Sequence, residues 1–105
     1  LYGIDAPGTN QAYGPQAKLF LSRRVFNKDL VVTVLGKTPD GRLSVLIHLD
    51  GACINQELVE HGMAWVDPSA CTRTFCKDWE KSQAAAAEQA AGLWADPAAV
   101  PPWKF

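Results

Sequence analysis

The chain lacks any excess of positive charge: ten lysines and arginines stand against eleven acids, for a net charge of −1. No global field therefore advertises a polyanionic partner, and any such contact has to come from a local patch. It also lacks an apolar run long enough to cross a membrane as a helix. It has no internal repeat, and it holds only two histidines. His61 falls in the last turn of a helical stretch, where a cation suits the dipole, and His48 alternates with core residues on a strand, so a histidine-dependent hydrolase is disfavoured. Cysteine is scarce: Cys53, Cys71 and Cys76 make up the set. One close pair at this spacing does not match the usual zinc-finger patterns. No leader peptide is visible, yet the chain opens inside what reads as a strand, so a preceding segment is expected.

What is present is enough for one modest core. The chain has 105 residues, 48% of them hydrophobic and 20% charged, and is read as a single domain over residues 1–105. Residues 1–5 read as the end of a strand and residues 6–14 as a loop. Pro15 suits the first turn of a helix in which Ala17, Phe20, Leu21 and Val25 form the apolar face, with Gln16, Lys18, Ser22 and Arg23 opposite. Leu30 to Leu35 is a nearly continuous β-rich run, expected to be covered on both faces. A Thr38-Pro39-Asp40-Gly41 turn leads to a second strand over Leu43–Leu49, antiparallel to the first. Asn55 is placed as the N-cap of a short helix that stops at Gly62. Met63 to Val66 is extended, and an alanine-rich helix anchored by Trp79 runs from about Phe75 to Ala91. The tail from Ala95 to Phe105 reads as a surface strap. Trp65, Trp79, Trp94 and Trp103 read mostly as core rather than as stacking platforms for single strands. The order predicts an α+β fold with a small curled sheet or barrel at its centre.

Two short stretches carry chemistry. Gly3-Ile4-Asp5-Ala6-Pro7 puts a carboxylate at the end of an apolar run, where proline stops the strand. Asp40-Gly41-Arg42 puts an arginine on the rim of a tight turn. A carboxylate and an arginine on rigid rims are what metal-assisted phosphate chemistry requires. Lys37 and Arg42, with Lys28, Arg23 and Arg24, are candidates for a local basic rim, and Lys37 and Asp40 for contact with substrate. The Cys71–Cys76 pair brackets a short loop. A disulfide there, contributing roughly 2 kcal/mol, and a pair of reduced, half-buried thiols are both open readings. The former implies a periplasmic or secreted setting, the latter a cytoplasmic one. Cys53 reads as a small packed hydrophobe.

These stretches, with Tyr13-Gly14-Pro15-Gln16-Ala17, Asp50-Gly51-Ala52-Cys53-Ile54-Asn55, Leu58-Val59-Glu60-His61-Gly62-Met63-Ala64-Trp65 and Gly92-Leu93-Trp94, resemble the staphylococcal nuclease (thermonuclease) family in unbroken order. The resemblance implies an OB-fold barrel with three helices and a Ca²⁺-dependent phosphodiesterase acting on DNA or RNA. It implies that Asp5 and the backbone carbonyl of Ala6 hold the metal and that Arg42 grips the scissile phosphate. Ca²⁺ is a hard cation that takes oxygen ligands, and guanidinium offers a phosphate a planar fork.

Two departures qualify it. The family carries a glutamate, assigned as general base or water positioner, where this chain has Gly8. Losing a base typically costs ~10²–10⁴-fold in rate, and Asp40 and Glu57 are the candidate replacement acids. The family's further arginine and aspartate lie on earlier strands, so the domain reads as N-terminally incomplete, with an open sheet edge that favours strand exchange or a dimer. The sequence thus predicts an endonuclease of little sequence specificity, weakened at Gly8. The alternative is a catalytically impaired binding module for nucleic acid or protein, such as a plasmid-partition or conjugation accessory protein.

Overall fold

The computed structural model describes residues 1–8, 11–96 and 101. The elements run β1 (Ile4–Asp5), α1 (Gly14–Val25), β2 (Val31–Lys37), β3 (Leu43–Leu49), β4 (Ala52–Cys53), α2 (Ile54–Glu60), β5 (Trp65–Val66), α3 (Cys76–Glu88) and a short 3-10 helix at Gly92–Ala95. No helix among the described residues is long and apolar enough to cross a membrane.

The strands form two antiparallel sheets, β2-β3-β4 and β1-β5, and no barrel closes among the described residues. The expected α+β class holds in this three-helix arrangement, whereas the closed barrel is not seen. The expectation that residues 30–35 are covered on both faces is corrected. Val31 is 65% exposed, and Val32 and Val34 are each 54% exposed. A continuous apolar run states what a strand prefers to contact, and among the described residues β2 is an edge with β3 as its sole sheet neighbour.

The core lies where α2 and α3 meet β5. Val59, Val66, Cys71, Cys76 and Trp79 are buried together, with Tyr2, Ile4, Leu46, Cys53 and Phe75 packed against them. Trp65 and Trp79 are buried, as core tryptophans should be, and Trp103 lies outside the described residues, as does most of the tail. Cys71 and Cys76 are joined by a disulfide, and Cys53 is a free thiol. Gly62 and Gly92 cross so closely that a Cβ on Gly62 would lie 2.2 Å from the Ala91 carbonyl oxygen.

Asn55 departs from its expected role. It sits inside α2, fully buried, and Cys53 takes the cap position. Its Oδ1 accepts the Ile47 N–H at 3.0 Å, and its Nδ2 donates to the carbonyls of Val45 at 3.1 Å and Tyr2 at 3.3 Å. One amide thus joins α2, β3 and the segment entering β1. A second long-range tie is the pair of hydrogen bonds from Arg24 to Glu57, at 2.7 and 2.8 Å, which locks α1 to α2.

Candidate active site

A cleft of about 630 Å³ opens between the end of β1, one face of α1 and the start of β3. Asp5, Ala6, Gly8, Lys18, Arg42 and Asp67 stand on its walls. The sequence placed Asp5, Ala6, Gly8 and Arg42 at such a site, and the fold brings these together.

Asp5 is positioned from two sides. β1 pairs with β5 so that Ile4 faces Val66 and Asp5 faces Trp65. One turn of chain earlier, the Tyr2 N–H donates to the Val45 carbonyl at 2.8 Å, which ties this segment to β3. Pro7, buried, then ends the strand and leaves the Asp5 carboxylate at the cleft.

Arg42 is positioned by its turn. The Gly41 N–H donates to the Thr38 carbonyl at 2.9 Å, and Gly41 takes a φ of +88° that favours glycine. The Thr38 N–H donates to the Arg42 carbonyl at 2.7 Å, and the Arg42 N–H donates to the Thr38 hydroxyl at 3.1 Å. The guanidinium Nε lies 3.0 Å from Asp40 Oδ2, and Oδ1 of the same carboxylate accepts the Thr38 hydroxyl. That hydroxyl, foremost, and then Arg42 hold Asp40 below the usual carboxylate range. Lys37 and Asp40 stand on the hairpin arm, outside the cleft walls. Asp40 touches Arg42 rather than the cavity.

Gly8 donates its N–H to Gln11 Oε1 at 2.9 Å. Among the described residues a Cβ added to it would meet only that oxygen, at 3.7 Å, which is ordinary contact. The position therefore has room for a side chain. Glu57 is not poised to replace one, because both of its oxygens are engaged by Arg24, whose hydrogen bonds hold its pKa down.

Two wall residues escaped the sequence. Lys18 is exposed, as its place opposite the apolar face of α1 predicts, and with Gly14, Ala17 and Leu21 it also lines the cleft. The spacing from Gly14 was the available signal. Asp67 gave no local signal: it follows β5, and its N–H donates to the Gly3 carbonyl at 2.9 Å. Its Oδ1 accepts the Ser69 N–H at 3.0 Å and the Ser69 hydroxyl at 2.7 Å.

Asp5 feels both new neighbours and old. Burial, above all, and the charge of Asp67 raise its pKa, while Arg42 opposes the rise. Two carboxylates on one half-sheltered wall, with no thiolate or imidazole among the described residues that line it, fit a hard divalent cation. They form only part of a coordination sphere, since no group of three or more acidic, histidine or cysteine side chains gathers among the described residues.

A half-buried acid, an arginine and a lysine stand around one cavity. The chain belongs to the family described as staphylococcal nuclease homologue, which matches residues 1–96. A probable staphylococcal-like nuclease of Oryza sativa subsp. japonica is 34% identical over 105 residues, covering 100% of this chain and 31% of the relative. An uncharacterized endonuclease of Escherichia coli O157:H7 is 34% identical over 104 residues, covering 98% of this chain and 66% of the relative. Protein ParB of Escherichia coli is 31% identical over 114 residues, covering 100% of this chain and 64% of the relative. The chain thus spans from about a third to about two thirds of the length of these relatives.

Proposed function

We propose that this chain forms the cleft of a Ca²⁺-dependent nuclease that hydrolyses phosphodiester bonds of DNA or RNA with little sequence specificity. The observation that carries the reading is the convergence of Asp5, Gly8 and Arg42 on one cavity. Asp5, the Ala6 carbonyl and Asp67 would hold the cation, which when bound supplies charge that polarises the phosphoryl oxygen. The guanidinium of Arg42 binds the equatorial phosphate oxygens and stabilises the charge that grows on them. Lys18, across the cleft, holds a neighbouring phosphate and fixes the register of the strand. Gly8 offers no group to take the proton of an attacking water, so turnover is slow. The Cys71–Cys76 bond supports an oxidising compartment as the setting.

The test is to incubate the protein with supercoiled plasmid and with single-stranded DNA, in Ca²⁺ or in chelator. Nicking is expected only with Ca²⁺. Arg42→Ala lowers its rate by about 10²–10³-fold without unfolding the protein, because Arg42 is exposed. Arg42→Lys does not restore it, since an ammonium lacks the fork. Cleavage indifferent to chelator, or to Arg42→Ala, sinks the reading. Retarded DNA with no cleavage under any condition is the outcome that a binding module predicts, and Gly8 is the feature that favours that alternative.

Lys18 has its own readout. Lys18→Ala is expected to weaken binding alike for all sequences and to flatten the salt dependence by about one phosphate contact. Fluorescence anisotropy of a labelled oligonucleotide across a salt series measures it. An unchanged slope places Lys18 in solvent.

A further inference from the structure

We propose that the Cys71–Cys76 disulfide is a positioning group for the cleft, seating the strand that carries Asp5 and the backbone of Asp67 against α3. This rests on the nuclease reading for its purpose, though not for its test.

β1 is a two-residue strand, too short to hold its own place. Its entry lies directly on the disulfide. A Cβ added at Gly3 would fall 2.6 Å from Cys71 Sγ and 3.0 Å from Cys71 Cβ. Gly3 therefore supplies the clearance that lets the backbone sit on the bond, and Asp5 follows two residues later. The same cysteine reaches the other acid. The N–H groups of Cys71 and Ala70 donate to the Asp67 carbonyl at 2.8 and 3.1 Å, while the Asp67 N–H donates to Gly3.

The loop that the bond closes holds β1 a second time. The Tyr2 hydroxyl accepts the Thr72 N–H at 3.0 Å. The Tyr2 and Phe75 rings meet edge to face with centroids 5.9 Å apart, and the Arg73 guanidinium lies 5.9 Å from the Tyr2 centroid. Thr72, Arg73 and Thr74 are exposed, so the loop has little burial of its own to fix it. Its far end is anchored by Cys76 at the start of α3, buried with Val59, Val66 and Trp79. Cutting the bond frees one end of the loop from that anchor and with it the seat under Gly3.

A dithiol reductant would cut it by thiolate attack on one sulfur. The reductant's second thiolate then closes its own disulfide, so two electrons pass to the protein and both cysteines leave as thiols. Cys71 and Cys76 are 6% and 4% exposed, so attack has to wait for local opening.

Hydrogen exchange followed by NMR tests the proposal on the oxidised protein and on the Cys71→Ala/Cys76→Ala variant. The Asp67 amide, which reports the β1–β5 junction, is expected to exchange at least ~10-fold faster in the variant. The Ile47 amide, bonded to Asn55 inside β3, is expected to keep its protection. Unchanged protection at Asp67 overturns the proposal. Equal loss at Ile47, or failure of the variant to fold, also overturns it, because the bond is then a general staple. The wild-type protein reduced with dithiothreitol supplies the same comparison without a substitution. Where plasmid nicking is observed, the variant is expected to need about 10-fold more Ca²⁺ for half-maximal rate. The exchange readout uses neither DNA nor Ca²⁺, so an inactive wild-type protein counts against the proposed function alone.

Discussion

Gly8→Glu is expected to raise the rate of Ca²⁺-dependent nicking by about 10²–10⁴-fold. The backbone at Gly8 is not in the left-handed region, and among the described residues its missing Cβ points into space bounded only by Gln11 Oε1. A side chain at this cleft-lining position therefore has room among the described residues. The Gly8 backbone N–H, bonded to Gln11 Oε1, is unaffected by adding a side chain. A carboxylate there stands within the same cavity as Asp5 and Arg42 and can take a proton from water aimed at the phosphorus. Gly8→Gln separates basicity from bulk, having the same length and no carboxylate. Initial rates of plasmid relaxation for the three proteins decide it. Equal gains from both substitutions assign the effect to positioning of water, and no gain from Gly8→Glu removes the catalytic account of this site. The added negative charge beside Asp5 and Asp67 is expected to weaken DNA binding, so the gain shows in kcat before it shows in kcat/KM.

Asn55→Ala is expected to destabilise the fold by about 3 kcal/mol. The residue is fully buried, and its loss strands the Ile47 N–H and removes a donor from the carbonyls of Tyr2 and Val45. For a chain of this size, that is a fall in Tm of about 15 °C. Asn55→Asp is expected to be at least as damaging. It keeps the shape and the acceptor for Ile47, but faces two carbonyl oxygens with a buried carboxylate. Calorimetry of the two variants against wild type measures both, and a fall below about 1 kcal/mol for Asn55→Ala is too small for three lost bonds. The same change is expected to damage activity out of proportion to unfolding, since Tyr2 leads straight into Asp5.

Features set by neighbours in the chain are legible in the sequence, because local backbone constraints decide them. Pro7 ends β1, Pro39 and Gly41 shape the turn, and these fix where the Asp5 and Arg42 side chains leave the backbone. Cleft residues that depend on packing were harder. Lys18 lies opposite the apolar face of Ala17, Phe20, Leu21 and Val25 and is exposed, as its spacing predicts, but it also stands on the cleft wall beside Ala17 and Leu21, which helical periodicity alone does not show. Asp67 enters only through the pairing of β5 with β1, a contact between residues about sixty positions apart. Asn55 illustrates a conflict of scales. Its place ahead of a helix suits a cap, but the buried carbonyls of Tyr2 and Val45 need a donor, and tertiary demand outweighed the local preference.

On the proposed reading, the turn that carries Arg42 would also govern how an ester is captured. The Thr38 hydroxyl steadies Asp40, and Asp40 moors the guanidinium by its Nε, leaving the outer edge of the fork unspent. On the proposed reading, an incoming phosphate would meet a side chain whose swing is already restrained, so less rotamer freedom would be lost on contact. The mooring is exposed to solvent and hence screened by ions. Salt should therefore loosen the arginine's aim as well as its attraction.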